Sequence, residues 1–512
     1  MQTASWILIS IYMAIVVYLV IRGARRTQSL ADYAKGSVSF APWAVALSLA
    51  ASMTSAATFI INPGFAAMYG LPAVLSFVVV LPLAALVSLI VLTKGFRKHG
   101  DQVAALTMAQ WMGSRFGSEG FKRWFSVLSL LLITFIVLIC VGISKVLAVS
   151  LGVNEIGVLA GVVVFIFGYM MFGGANSMVY TNTIQALLML VVAIFLLGSG
   201  YEHFKEGVMG FVERLNAIDP ALGKATNPES PLFRDYFEII FCQVVIGVAI
   251  VCQPHIITKS LLLKSGKQVN QYLFIAIVVE ILFFAVVCTG LYARLEFPDL
   301  TVAGEVMAMD GIIPQYVLAE FPVWMGLIVV LGLISAGIST LEGLIQSLST
   351  TITADLLGDW KPVASLQSES QKILLNRVVI AVLAVVTFML SLDQLLHPNL
   401  SVAIFAQNGV YAYFSAAFVP VLMGTFMKHT PKVAPIAASV TAIVVHFGVY
   451  YGEFTPYMRG QAIKNPAIAS TWAILAALLV AGILYLVFRN ASEKSEDSAQ
   501  LHSSETEPLH TP

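Results

Sequence analysis

An all-α polytopic membrane protein is predicted by three features of the chain. Hydrophobic residues make up 58% of the 512 and charged residues 11%, with mean hydropathy +0.87, whereas a soluble domain carries about 25% charged residues. Apolar runs of about 20 residues, enough for a helix to cross hydrocarbon, recur along most of the length. One of them, Leu331–Leu357, reads LGLISAGISTLEGLIQSLSTTITADLL and holds a row of hydroxyls and a carboxylate, Glu342. Hydrocarbon penalises such groups unless they meet a partner helix, water or an ion.

Thirteen spans are expected. The first, roughly 5–21, has no basic segment before it, and Arg22, Arg25 and Arg26 follow where a cleavage site would lie, so it reads as a retained helix. A core of ten covers roughly 41–62, 71–93, 124–149, 157–175, 178–199, 236–254, 271–293, 323–354, 378–396 and 400–427. Two accessory helices, roughly 433–452 and 468–488, complete the set. With the N-terminus outside, loops after odd-numbered crossings and the tail hold 20 of the 28 Lys and Arg, including Lys94/Arg97/Lys98, Lys259/Lys264/Lys267 and Lys428/Lys432. That bias predicts a cytoplasmic C-terminus in a bacterial plasma (inner) membrane.

The organisation expected is a first helix and linker (1–40), a five-helix repeat (41–199), an outer loop (200–235), a second five-helix repeat (236–427), two accessory helices (428–488) and a tail (489–512). The outer loop's YEHFKEGVMGFVERL stretch reads as a short surface helix. The tail is polar and Ser-rich, which predicts disorder, and no output domain is expected within it.

Cys140, Cys242, Cys252 and Cys288 lie in apolar runs without metal-type spacing, so they read as buried small hydrophobes rather than a disulfide framework. The eight histidines do not cluster, and no nucleophile–base pair, nucleotide loop or nucleic-acid surface is recognisable. An enzyme is therefore not expected, nor a nucleic-acid partner, nor an obligate protein partner; the partners implied are the bilayer and a small-molecule solute.

The chemistry concentrates on interrupted helices. Ala336, Ser339 and Thr340 fall at i, i+3 and i+4, which puts a carbonyl beside two hydroxyls on one face. That oxygen-only surface suits a hard cation such as sodium. In the first core helix Ser48, Ser52, Thr54, Ser55 and Thr58 are too many hydroxyls for a lipid-facing segment, and Pro63-Gly64 interrupts it. Unwinding near Ala51–Ser55 would free carbonyls as ligands where the backbone lines a cavity; close helix packing through small residues is the other reading. Five helices on, 236–254 carries Cys242, Gln243 and Gly247 and ends in Gln253-Pro254-His255. Interrupted helices five apart are what a five-plus-five inverted repeat predicts. Together these features point to a cation-coupled transporter.

The run Phe172-Gly173-Gly174 through Tyr180-Thr181-Asn182-Thr183-Ile184-Gln185 resembles the FGG, short re-entry and T-D-x-x-Q pattern of the sodium:solute symporter family. DYAKGSVSFAPWAVALSLAAS, LTMAQWMGSRFG and ISAGISTLEG agree in order and spacing over roughly 5–430, and TFIINPGFAAMYG looks nearest the proline and pantothenate permease branch. The resemblance implies a leucine-transporter-like fold, alternating access and Na+ as coupling ion. It assigns a sodium site to the carbonyls of Ala51, Thr54 and Ala336 with the hydroxyls of Ser339 and Thr340. Carried over by position, Ser55, Thr58 and Gln243 are substrate-binding candidates, with Phe405, Asn408 and Tyr411 lining or gating. The solute implied is an organic acid such as pantothenate, or an amino acid.

Two departures matter. Asn182 stands where the family commonly has Asp, an acid that helps hold a second sodium in members binding two. Glu342 stands where those members offer a hydroxyl. Glu342 is either a coupling carboxylate or a hydrogen-bonded residue that fixes helix contacts, and both readings stay open. Lys145 is read as snorkelling, with anion recognition as the alternative; Glu280 as lining the path, or else snorkelling or paired; Asp393 as a solvated helix end. Proton coupling, a membrane solute sensor that does not transport, and a channel are the competing classes.

Overall fold

The computed structural model describes residues 2–505 apart from 38, 103–104, 264, 359, 367 and 398–401, and beyond Arg489 the backbone alone. Lys264 and tail residues 506–512 lie outside the described residues. Among those described, ten helices are long and apolar enough to cross a membrane, two further spans are bent pairs, and one apolar helix is shorter. In chain order they are α1 (Thr3–Ala24), α2 (Pro42–Met53 with Ala57–Tyr69), α3 (Leu71–Gly100), α4 (Glu119–Leu151) and α5 (Glu155–Met170). There follow α6 (Ala175–Phe204), α7 (Phe237–Ile250 with Pro254–Leu262), α8 (Gly266–Glu296), α9 (Val323–Leu356) and α10 (Glu369–Leu396). The set closes with α11 (Val402–Phe426), α12 (Val433–Gly452) and α13 (from Pro466). At 16 residues α5 is the short member; about 24 Å of helix falls short of a bilayer core of about 30 Å.

Both bent spans turn by 57°. In α2 the chain leaves the helix at Thr54 (φ −97°, ψ 98°) and resumes at Ala57 with a π-helical turn. Hydroxyl side chains favour such a break because they offer the backbone local partners; here the Ser55 hydroxyl accepts from the Ala57 N–H at 3.1 Å. In α7 the break falls at Gln253, extended at ψ 136°, with Pro254 opening the second half. Proline disfavours helix in the residue before it and fits the first helical position after it. Beyond the break α7 continues to Leu262, so the span expected to end near 254 is longer than the sequence suggested.

The breaks face a shared interior. The first half of α2 packs against α6, α8 and α9, while α7 packs on α3 and α4 packs on α9 and α11. Between α5 and α6, Gly174 adopts φ +76°, and an added Cβ would stand 2.9 Å from backbone atoms of Tyr33. Only glycine allows that turn and that approach together. Outward, Val79, Leu83, Val87 and Val91 on α3 and Val378, Val382, Val385 and Met389 on α10 are exposed. Apolar stripes at helical spacing are the lipid face of such a bundle.

The loop at 200–235 forms a 3₁₀ turn (Gly200–Phe204) and the helix Gly207–Ile218, the short helix expected there. A small hairpin (Thr301–Val302 with Glu305–Val306) and the helix Ile312–Glu320 join α8 to α9. The cysteines carry no disulfide; three are buried and Cys288 is half-buried. The tail departs from expectation: α13 runs on as helix to Glu505. Between Gly482 and Pro508 the sequence contains neither glycine nor proline, so nothing stops propagation from the apolar span.

Candidate functional site

The break of α2 meets the hydroxyl face of α9. Ser339 Oγ donates to the Ala51 carbonyl at 2.6 Å and to the Ala336 carbonyl at 3.1 Å. Thr340 Oγ1 donates to the Ser52 carbonyl at 3.2 Å and to that of Ala336 at 3.3 Å. Two hydroxyls thus converge on three carbonyl oxygens, and Ala51, Thr54, Ala336, Ser339 and Thr340 are all fully buried. The Ser52 carbonyl was not among the residues expected. Thr54 sits at the break, and its hydroxyl donates to Glu280 Oε2 at 2.6 Å. Glu280 is fully buried, so it does not snorkel, and its Oε1 finds no partner among the described residues.

Glu342, one turn along α9, is buried and satisfied. Tyr169 donates to Oε1 at 2.6 Å and Thr181 to Oε2 at 2.5 Å. With the Asn182 amide oriented so that both ends meet complementary partners, its nitrogen donates to Glu342 Oε2 and Gln185 Oε1, both at 2.9 Å. Its oxygen then faces Lys259 Nζ at 3.3 Å. Lys259, counted by sequence among the cytoplasmic loop charges, is instead 3% exposed in the second half of α7. A residue beyond an apparent span end looked like loop because the proline break concealed the continuing helix.

Beside the α2 break lies a cavity of about 100 Å³ lined by Ser55, Thr58, Gln253, His255, Gln407 and Tyr411 among others. Gln253 Oε1 and His255 Nδ1 are buried there without partners. Three walls of this cavity, Ile61, Leu138 and Ala403, also line a second chamber of about 250 Å³. In that chamber Lys145 and Asp310 form a half-buried ion pair at 2.6 Å. Lys145 therefore pairs across to the α8–α9 connection rather than snorkelling.

Comparison with known proteins decides the assignment. Residues 33–439 match the family described as "Sodium:solute symporter family". The chain belongs to that family. The symporter is 28% identical over 468 residues to the sodium/pantothenate symporter of Escherichia coli (strain K12), covering 88% of this chain and 90% of that one. It is 27% identical to the sodium/pantothenate symporter of Haemophilus influenzae, covering 75% and 78%. In fold it resembles a solved Na+-coupled sialic acid symporter in a substrate-bound outward-open state, with TM-score 0.76 at 17% identity over 94% of this chain and 97% of that one. It is an integral membrane protein of leucine-transporter-like five-plus-five architecture that couples sodium to the uptake of a small organic solute.

Within the symporter the solute candidates separate. Ser55, Thr58 and Tyr411 line the central cavity; Gln243, Phe405 and Asn408 do not. On α11 the lining positions are 403, 406, 407, 410 and 411, one helical face, which turns Phe405 and Asn408 aside. Asn408 instead accepts from His446 Nε2 at 2.9 Å and donates to the Tyr451 hydroxyl at 3.2 Å, tying α11 to α12. Gln243 lies seven residues before Ile250, about 10 Å along the helix from the cavity wall. Asp393 is an exposed helix end, 3.3 Å from His397, as expected. Gln253 and His255 are the lining residues that position-by-position reading missed; Gln253-Pro254-His255, already visible as an interruption, was the signal.

Proposed function

We propose that the symporter imports pantothenate or a closely related small organic acid with sodium held between α2 and α9. The observation that carries the ion site is the convergence of Ser339 and Thr340 on the carbonyls of Ala51, Ser52 and Ala336. Rotating both hydroxyls outward presents five neutral oxygens, a donor set that fits sodium. The Thr54 carbonyl at the break is the sixth donor in this reading. Glu280, reached through the Thr54 hydroxyl, places a carboxyl group beside the site without ligating directly.

The solute assignment is supported by the two bacterial relatives described as sodium/pantothenate symporters and by the cavity one turn beyond the ion site. Its unpartnered Gln253 and His255 offer hydrogen bonds to a polar solute, while Met53, Phe77 and Phe284 among its walls suit an aliphatic body. The cavity and its neighbouring chamber form the outer half of the path when the N-terminus lies outside a bacterial plasma membrane. A potential of ~100 mV gives ~2.3 kcal/mol per sodium entering. At ~1.4 kcal/mol per tenfold, a neutral solute would be concentrated about fifty-fold by that term alone, and a monovalent anion carried with one sodium not at all. Proteoliposome uptake tests the reading: labelled pantothenate should accumulate under an inward sodium gradient and outcompete amino acids and sugars. Sodium-driven uptake of another solute, with no competition by pantothenate, would refute the substrate assignment.

A further inference from the structure

Lys259 stands out because, among the described residues, no other lysine or arginine is so deeply buried. Its ammonium lies 2.5 Å from the Ser48 carbonyl oxygen, 2.8 Å from Ser48 Oγ and 2.6 Å from Ser52 Oγ. The Asn182 amide oxygen, 3.3 Å away, completes the shell. One carbonyl, two hydroxyls and one amide oxygen, supplied by α2 and α6, are the donor chemistry of a monovalent-cation site. Here the cation arrives on its own stem, from the second half of α7.

Charge in the surroundings agrees. Asn182 joins this amine to Glu342, so a basic and an acidic side chain share one amide. The segment Ser48–Thr54 touches, directly or through one residue, two buried carboxylates, Glu342 and Glu280, and one buried ammonium. Counted as ionised, these leave one negative charge to be balanced. One free cation balances it, and a second beside Lys259 would face a like charge in a poorly screened interior.

We propose that Lys259 is a tethered cation, occupying an all-oxygen cage that would otherwise take a second sodium, so that this symporter moves one sodium per solute. The proposal rests on the sodium-coupled reading and concerns a second cage that adjoins the α2–α9 ion site through Ser52. It gives Glu342 a role as well: the carboxylate is the counter-charge of a built-in ammonium.

Thermal unfolding of the purified full chain against sodium, with potassium balancing ionic strength, reads the number of ions bound. Each site adds the same stabilisation per tenfold sodium above its dissociation constant. Wild type is expected to follow one ion. Lys259→Ala, with its cage emptied, is expected to follow two, and the double variant Lys259→Ala/Glu342→Gln one. Methylammonium should stabilise Lys259→Ala but not wild type, because it returns the ammonium without the stem; loss of a packing role alone would show no such rescue. A wild-type slope of two ions overturns the proposal. So does a folded, sodium-responsive Lys259→Ala protein that follows one ion and ignores methylammonium. If Lys259→Ala does not fold, the wild-type flux ratio in proteoliposomes decides, with one sodium per solute expected and two overturning. A wild type indifferent to sodium would instead sink the sodium-coupled reading itself.

Discussion

Ser339 and Ala51 are separated by 288 positions, yet the Ser339 hydroxyl stands 2.6 Å from the Ala51 carbonyl. Leaving the helix at Thr54 frees the Ala51 carbonyl from an i+4 N–H partner, so the Ser339 hydroxyl does not share it with the helix ladder. A hydroxyl on α9 and a break in α2 therefore act as one unit. Ser339→Ala is expected to raise the sodium half-saturation of uptake about tenfold, the equivalent of one lost oxygen contact of about 1.4 kcal/mol. Thr340→Ser keeps its oxygen and should stay within about twofold of wild type. Initial uptake rates across a sodium series measure both, and equal effects from the two variants would refute the ligand assignment.

Gln253 and His255 allow solute and ion effects to be separated. Both line the cavity with a buried polar atom unpartnered among the described residues, and neither hydrogen-bonds to the Ser339 or Thr340 hydroxyl. Gln253→Ala should raise the solute half-saturation about tenfold, since one hydrogen bond is worth about 1 kcal/mol and a buried unmatched partner more. Sodium-induced thermal stabilisation without solute should be unchanged. A variant that lost sodium response but kept solute affinity would reverse the assignment of the two sites.

What the sequence made legible follows from how local each feature is. Ala336, Ser339 and Thr340 share one turn, so helical period alone placed them on one face. The α2 break was visible as a density of hydroxyls, and Gln253-Pro254 as a proline stop. Lys259 was not legible, because its partners Ser48 and Ser52 lie 211 and 207 positions away, and charge counting assigned it to a loop. Asn408 and Phe405 do not line the cavity for a related reason: alignment by position gives a residue's depth but not its rotation about α11, and a shift of one residue turns a side chain by about 100°. Lys145 had its partner in Asp310, on a connection without apolar periodicity to announce it.

The Lys145–Asp310 pair closes one wall of the second chamber and predicts an effect on access rather than on chemistry. The pair is half-buried, so it is worth about 1 kcal/mol, between the exposed and fully buried cases. Lys145→Met should speed labelling of Ala403→Cys, which stands on the wall shared by both chambers, about fivefold. The exchanged pair Lys145→Asp/Asp310→Lys should slow it again. Thiol-reagent labelling rates in intact cells give the readout, and an exchanged pair as open as the single variant would exclude an ion-pair latch.

Gly290 tests how α8 is seated against the second half of α2. A Cβ there would stand 1.8 Å from the Pro63 carbonyl oxygen and 2.9 Å from the Ala66 Cβ. The nearest atom belongs to backbone just past the α2 break, so no side chain can swing aside, and the helix pair itself must separate. Overpacking of a fitted interior costs about 1–3 kcal/mol even where side chains can yield, and Gly290→Ala should exceed that range. Gly161, on α5 with nothing within 4 Å of its added Cβ, is the matched control. Gly161→Ala should be neutral or stabilising by up to about 1 kcal/mol, since alanine suits a helix interior better than glycine. Thermal midpoints of the two purified variants should therefore move in opposite directions or, at the least, differ strongly. If Gly290→Ala unfolds no earlier than Gly161→Ala, α8 does not sit this close to Pro63, and the placement of Glu280 beside Thr54 on the same helix would have to be revised with it.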